Sequence, residues 1–348
     1  MSASSSSSSS PLSDLDAHTL YDYGLDVTQD AIGIIIETIF MSVYGVFFAL
    51  ALYSICRKVV KSLGSFVMLC VVVYLYAASF VLWALDITQW FMVAQSLFLD
   101  NPNIPLPNRR DVANDRTAIF ATPMEALFMF NMLVGDTVVI WRAWVLYQHP
   151  LSVMWVPCLM LAMSFFFNVI DIMCLMGFGF TEQTAVAGGG AVCRHAELVS
   201  WAFSLVTNAS CTILIGYKAW QLRQMKKSLH IHSDRSSRRL TADKILSLLV
   251  ESGFIYCFFL LTQLVLFVPL SRFNASIYLY ESFGPMGNQI SGMYPTLIIV
   301  IVNFHQTIWE ESVESVTTIL KRESEFVTTK LRQRSGQHHA PGQVQNYF

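Results

Sequence analysis

Seven predominantly apolar stretches recur along the chain, at about 31–55, 64–88, 118–147, 153–178, 198–220, 245–269 and 285–304, with polar connections between them. An α-helix rises 1.5 Å per residue, so about 20 such residues match a bilayer core of about 30 Å. The pattern predicts an all-α membrane protein, a seven-transmembrane helix bundle over 31–304. The third stretch, AIFATPMEALFMFNMLVGDTVVIWRAWVLY, carries Glu125, Asn131, Asp136 and Arg142. A charge at the bilayer centre costs at least about 2.5–3.5 kcal/mol, so such residues face a bundle interior or a wet cavity. Glu125 and Asp136 are eleven residues apart, which returns them to nearly the same helix face. The third helix is therefore expected at the centre of the bundle. Arg142 falls on a different face, near enough to the helix end to snorkel.

Charge placement adds an orientation. Only 13% of the residues are charged, against roughly 25% in soluble domains. Counted over alternate connections, Lys plus Arg number 17 on one side and 5 on the other. The positive-inside rule then places the N-terminus outside and the C-terminus in the cytosol, with the plasma membrane as the expected location. Residues 1–30 open with a serine run and hold Asp14, Asp16, Asp22, Asp26 and Asp30 without Lys or Arg. They read as a disordered acidic extracellular tail, with no apolar core of a signal peptide. NPNIPLPNRR (101–110) reads as an extended outer loop. Asn274-Ala275-Ser276 is a glycosylation acceptor pattern, on the outer side in this orientation. The segment 221–244 is a basic cytoplasmic loop suited to anionic lipid or an acidic partner. Trp309, Val313, Val316, Leu320 and Val327 recur at helical spacing, predicting an amphipathic cytosolic helix over 305–332, followed by a disordered tail at 333–348. Pro295 is mid-span and should kink the seventh helix.

Several intramembrane polar residues are candidates for function. Glu37, Asp86, Glu125 and Asp171 all fall in the outer third of spans 1 to 4, with no basic residue at that depth, and Asn168 shares a face with Asp171 at i,i+3. One reading is an electronegative pocket open to the outside, fit for a cationic or hydrogen-bonding ligand. The other is a set of carboxyls that hydrogen-bond between helices. Nearer the cytoplasmic side, Arg142 and Glu251 lie at similar depth in spans 3 and 6 and could form an ion pair; Asp136, Arg142, Glu251 and Pro295 are the switch candidates. The seven cysteines lie mostly within apolar stretches, as buried small hydrophobes, and Cys193 has no partner at the start of span 3. All eight histidines fall in loops, tails or span ends, and no glycine-rich phosphate loop is present, which argues against an enzyme, a metal or another cofactor.

Gly135-Asp136-Thr137 with Trp141-Arg142-Ala143-Trp144, and the seventh-span Pro295-Thr296-Leu297-Ile298-Ile299-Val300, resemble the orphan seven-span integral membrane proteins of mushroom-forming (basidiomycete) fungi. The resemblance covers about residues 31–304 and implies a receptor-like layout. It is similar to G-protein-coupled receptors only in topology: span 3 has no Asp-Arg-Tyr at its end and span 7 no Asn-Pro-x-x-Tyr. The leading expectation is a receptor-like protein sensing an external small molecule or peptide and signalling to a cytosolic protein through the basic loop. The alternatives are a proton-coupled carrier using the intramembrane carboxylates and a structural, lipid-organising protein. The lipid bilayer is the expected partner in each case, and nucleic acid in none.

Overall fold

A computed structural model describes residues 14–57, 63–100, 103–147, 151–177, 189–228, 236–266 and 283–301. Seven helices account for them: α1 (Asp14–Arg57), α2 (Leu63–Phe98), α3 (Leu106–Tyr147), α4 (Leu151–Leu175), α5 (Gly189–Ser228), α6 (Ser236–Leu266) and α7 (residues 283–301). The first six are long and apolar enough to cross a membrane. Asn274, the segments 305–332 and 333–348, and residues 229–235 of the basic loop lie outside the described residues.

Consecutive helices run antiparallel. Trp90, late in α2, donates to the backbone oxygen of Val27, early in α1. Thr212 of α5 packs against Gly253 of α6, and Gly216 against Val250. Tyr256 of α6 stacks on Tyr294 of α7, while Gln263 of α6 donates to the backbone oxygen of Phe283. α1 and α7 run parallel, with Glu37 beside Gln289 and Tyr44 beside Thr296, and their contact closes the ring. The end of the bundle at which α1 starts is called here the near end, and the opposite one the far end.

Much of the surface is apolar, while several strongly polar side chains are buried. Ile35, Ile39, Val43 and Val46 of α1, Phe165 and Phe166 of α4, and Ile255 and Phe258 of α6 are all exposed. Meanwhile Glu37, Asn131, Asp136, Thr207, Asn208 and Gln289 are nearly inaccessible. In water such a surface would be a large sticky patch. In lipid, apolar exteriors are neutral, and helices associate through close packing and hydrogen bonds between them. The chain is an integral membrane protein with multiple transmembrane helices.

α3 touches α1, α2, α4 and α5, and through Gly135 it meets Pro295 of α7, which agrees with the central place expected for it. α7 is more enclosed still: none of its residues 283–301 is exposed, whereas α3 shows Phe130, Trp141 and Val145 to the outside. The helix runs on through Pro295. The proline has no N–H to offer the carbonyl of Ser291, one turn earlier. Small residues permit the approach of α7. A Cβ at Gly292 would stand 2.7 Å from Ser79 Oγ, 3.1 Å from the Tyr44 hydroxyl and 3.2 Å from Asn131 Nδ2.

Two regions expected to be irregular are helical. Residues 14–30 begin α1, and the proline-rich stretch is helical from Leu106, with Pro107 in the first turn, where its missing N–H is not needed. At 1.5 Å per residue, the 44 residues of α1 and 42 of α3 far exceed the bilayer core, so their near ends form a cap with the end of α2. Tyr23, Leu97 and Ala113 make its small core, flanked by Val27 and Val93. Arg110 pairs with Asp26 at 2.8 Å, Arg116 with Asp100 at 2.6 Å, and the Tyr23 hydroxyl donates to the oxygen of Leu106 at 2.9 Å. The acidic stretch was expected to be disordered because its own composition cannot support a core. Its partners, Leu97 and Ala113, lie far along the sequence.

The cysteines also depart from expectation. Cys56, Cys70 and Cys158 are exposed, Cys257 is half-buried and Cys211 is buried. Cys193 forms a disulfide with Cys174, tying the end of α4 to the start of α5. The partner expected near span 3 lies instead at the neighbouring helix end.

Candidate functional site

The polar residues of the interior form three groups along the bundle. The first, toward the near end, lies between α3, α4 and α5. Glu125, Asp171 and Glu197 are within electrostatic range of one another, and Trp201 lies beside Glu197 and stacks on Phe128 with ring centroids 5.4 Å apart. Asn168, one turn below Asp171, is buried and accepts from the Ser200 hydroxyl, which also pairs with Ser164 at 3.1 Å.

The second group joins α7 to α1, α2 and α3. Gln289 Nε2 donates to Glu37 Oε1 at 2.8 Å and to the backbone oxygen of Ser79 at 3.3 Å. Asn288 donates to Asp86 at 3.1 Å. Asn131 Nδ2 lies 3.3 Å from both Ser79 Oγ and Ser291 Oγ. The Tyr44 hydroxyl pairs with Thr296 Oγ1 at 3.2 Å. Amide, hydroxyl and carboxyl groups thus clamp α7, and none of the side chains in this group is basic.

The third group lies deeper, toward the far end. Asn208 of α5 donates to Asp136 Oδ1 at 2.6 Å, while Asp136 Oδ2 has no hydrogen-bond partner. Arg142 is buried, with its guanidinium carbon 6.0 Å from the centroid of Tyr294. Its Nε reaches the oxygen of Val138 at 3.4 Å, and its Nη2 has no hydrogen-bond partner. Glu251 is exposed on α6 and does not pair with Arg142. The two residues match in depth, but their positions around the helix axes differ, which depth alone does not specify.

The structure therefore sorts the expected carboxyls instead of collecting them: Glu37 with Asp86, and Glu125 with Asp171 and Asn168. Glu197 and the α7 amides Asn288 and Gln289 join these groups without having been singled out. Glu197 sits just before the fifth apolar stretch and looks like a boundary residue. A signal was present further along that helix, since Glu197, Ser200, Ser204, Asn208 and Cys211 recur at helical spacing. Among the described residues, no group of three or more His, Cys, Asp or Glu side chains is arranged to hold a metal ion.

The chain matches no protein-family model, no curated protein and no solved structure. Function must therefore be argued from the bundle itself.

Proposed function

We propose that this chain is a receptor-like sensor in which an external ligand acts near the Glu125, Asp171 and Glu197 group and changes how the helices pack around Arg142. The observation that carries this reading is the state of Arg142: a guanidinium buried among helices beside Tyr294 and the Val138 oxygen, with one nitrogen unsatisfied and no ion pair to a carboxylate among the described residues. Buried charges are normally paired, because an isolated one loses its hydration without compensation. A side chain held this way is suited to a bundle with a second arrangement in which it finds an anion or water. The tight α3–α7 contact at Gly135 and Pro295 links that arrangement to the polar clamp on α7. The seven-span fungal resemblance and the outside-to-cytosol orientation read from charge placement support the same reading.

A carrier is the second reading, favoured by the direct Glu37–Asp86 contact, since paired carboxyls inside membranes mark ion and proton paths. Spin labels at Val145 of α3 and Leu248 of α6, both exposed, report the first proposal in lipid nanodiscs. The expected result is two distance populations whose ratio changes in Arg142→Met. A single population, unaltered in the variant, would sink the switching reading. Solute flux in proteoliposomes, without ligand-dependent capture of a cytosolic protein, would favour the carrier.

A further inference from the structure

One acid of the spans is placed differently from the rest. Glu37, Asp86, Glu125, Asp136 and Asp171 are buried or half-buried, whereas Glu251 of α6 is exposed. Its neighbours on the same face are Leu248 at i−3, Phe254 and Ile255 at i+3 and i+4, and Phe258 at i+7, all of them exposed. The carboxyl thus interrupts an apolar ridge, with apolar side chains on both sides of it along the helix. Two observations give its depth. The apolar span of α6 is Leu246–Val265, 20 residues, which is the length of a bilayer core, and Glu251 lies about 7.5 Å inside its far edge. Across the contact of Gly216 with Val250, the level of Leu246 matches that of Trp220 on α5, an exposed indole of the kind that settles among headgroups.

Ionisable residues within a membrane normally face a bundle interior or pair with one another, and an acid turned toward lipid at this depth does neither. No ion pair to Glu251 is found among the described residues. Polar and charged contacts are also what hold one membrane helix to another, since an apolar face gains little by leaving lipid. The carboxylate therefore requires a cation at its own depth. A second copy of the chain would not supply it. From the level of Glu251 out to that of Trp220, the basic side chains among the described residues are Arg142, which is buried, and Lys218, which lies over the ring of Tyr147. We propose that the face of α6 from Leu248 to Phe258 is a docking surface for a transmembrane helix of another protein, one that carries a Lys or Arg opposite Glu251. The apolar ridge packs along that helix, and the ion pair sets the register and the choice of partner. The proposal rests on the outward position of Glu251 and not on the state of Arg142.

The test uses the full chain in phosphatidylcholine vesicles, with a fluorescent synthetic helix of leucine and alanine carrying one lysine about five residues from one edge of its apolar span. Energy transfer from the labelled chain should show about tenfold tighter association than for the same helix with leucine in place of the lysine. Glu251→Gln should remove that gain, and Glu251→Lys should restore it for a helix that carries glutamate instead. Ile255→Trp, which keeps the charge and obstructs the ridge, should weaken association with the lysine helix. Equal association of the lysine and leucine helices would overturn the proposal, as would a gain that survives Glu251→Gln. Two other outcomes would overturn it by assigning the carboxylate elsewhere, each with no gain from the lysine. One is pairing of two copies of the chain that is lost in Glu251→Gln. The other is enrichment of phosphatidylethanolamine around the chain that is lost in the same variant.

Discussion

Between residues 14–30, 89–98 and 106–117 the first three helices pack as in a soluble protein, through a small apolar core rimmed by ion pairs. A few turns further along, α1, α2 and α3 are held the other way round. Their outward faces are apolar, and beside an apolar cluster of Ala51, Ile55, Val72, Val138, Ile299 and Val300 they are joined to α7 by polar contacts through Ser79, Asp86, Asn131, Gln289 and Glu37. The difference follows from the solvent. Water drives apolar groups together and competes for every hydrogen bond. Lipid does neither, leaving tight packing and polar contacts as the available glue. The same helices thus change adhesive where they leave the bilayer.

The strongest break in this comparison comes from glycine. Gly292 lies where Ser79, Tyr44 and Asn131 converge, and its missing side chain lets three helices reach α7. Gly292→Val should destabilise the bundle by about 3 kcal/mol or more, since no side chain of that size fits without moving backbone. Gly24 in the cap has nothing within 4 Å of an added Cβ. Gly24→Ala should be neutral or gain up to about 1 kcal/mol from the helix backbone alone. Thermal unfolding of both variants in the same detergent is the check. Equal effects would show that the close approach at Gly292 contributes nothing.

The next test exchanges a cation in each region. Among the described residues Arg142 is buried without a carboxylate partner, so Arg142→Met should raise stability by about 1–2 kcal/mol while shifting the ratio of the two packing states. Arg110→Met in the cap removes an exposed pair and should shift stability by less than about 1 kcal/mol. A large loss of stability in Arg142→Met would mean that the guanidinium is already satisfied and is structural.

How much of this was legible before folding follows from the same contrast. The lipid-facing runs announce themselves through sheer apolar length, so the spans of α1 to α6 and the importance of α3 could be read directly. α7 is harder to read, because Asn288, Gln289, Ser291 and Thr296 dilute its hydropathy. Its polarity is the reason it is enclosed. The cap was missed because each of its segments looks like tail or loop alone, and only packing Tyr23 on Leu97 and Ala113 gives them a core. Depth along a span placed Glu37 and Asp86 together correctly. Depth carries no information about rotation around the bundle, which is why Glu125 and Asp171 belong elsewhere and Glu251 misses Arg142.

A smaller effect is expected at Tyr23. Its ring fills the cap core, and its hydroxyl donates to the oxygen of Leu106 at the start of α3. Tyr23→Phe keeps the packing and should cost about 1 kcal/mol, read as faster amide exchange in residues 106–117 with the rest of the bundle unchanged. Spread of the change into α7 would show that the cap and membrane halves do not behave as separable units.

The smallest effect, and the sharpest discriminator of solvent, is the response of the Arg110–Asp26 pair to salt. Both side chains remain substantially accessible, so the 2.8 Å contact is screened by mobile ions and opposed by the entropy of two ordered side chains. A double-mutant cycle of Arg110→Ala and Asp26→Ala should give a coupling of about 0.2–1 kcal/mol at low ionic strength, fading as choline chloride is added. The Asn208–Asp136 contact, buried between α5 and α3 at 2.6 Å, is shielded from those ions. Its coupling, from Asn208→Ala and Asp136→Ala, should not change with the same salt. If both couplings fall together, the interior is wet enough for ions to enter. The division into a water-solvated cap and a lipid-solvated bundle would then fail at its most basic assumption.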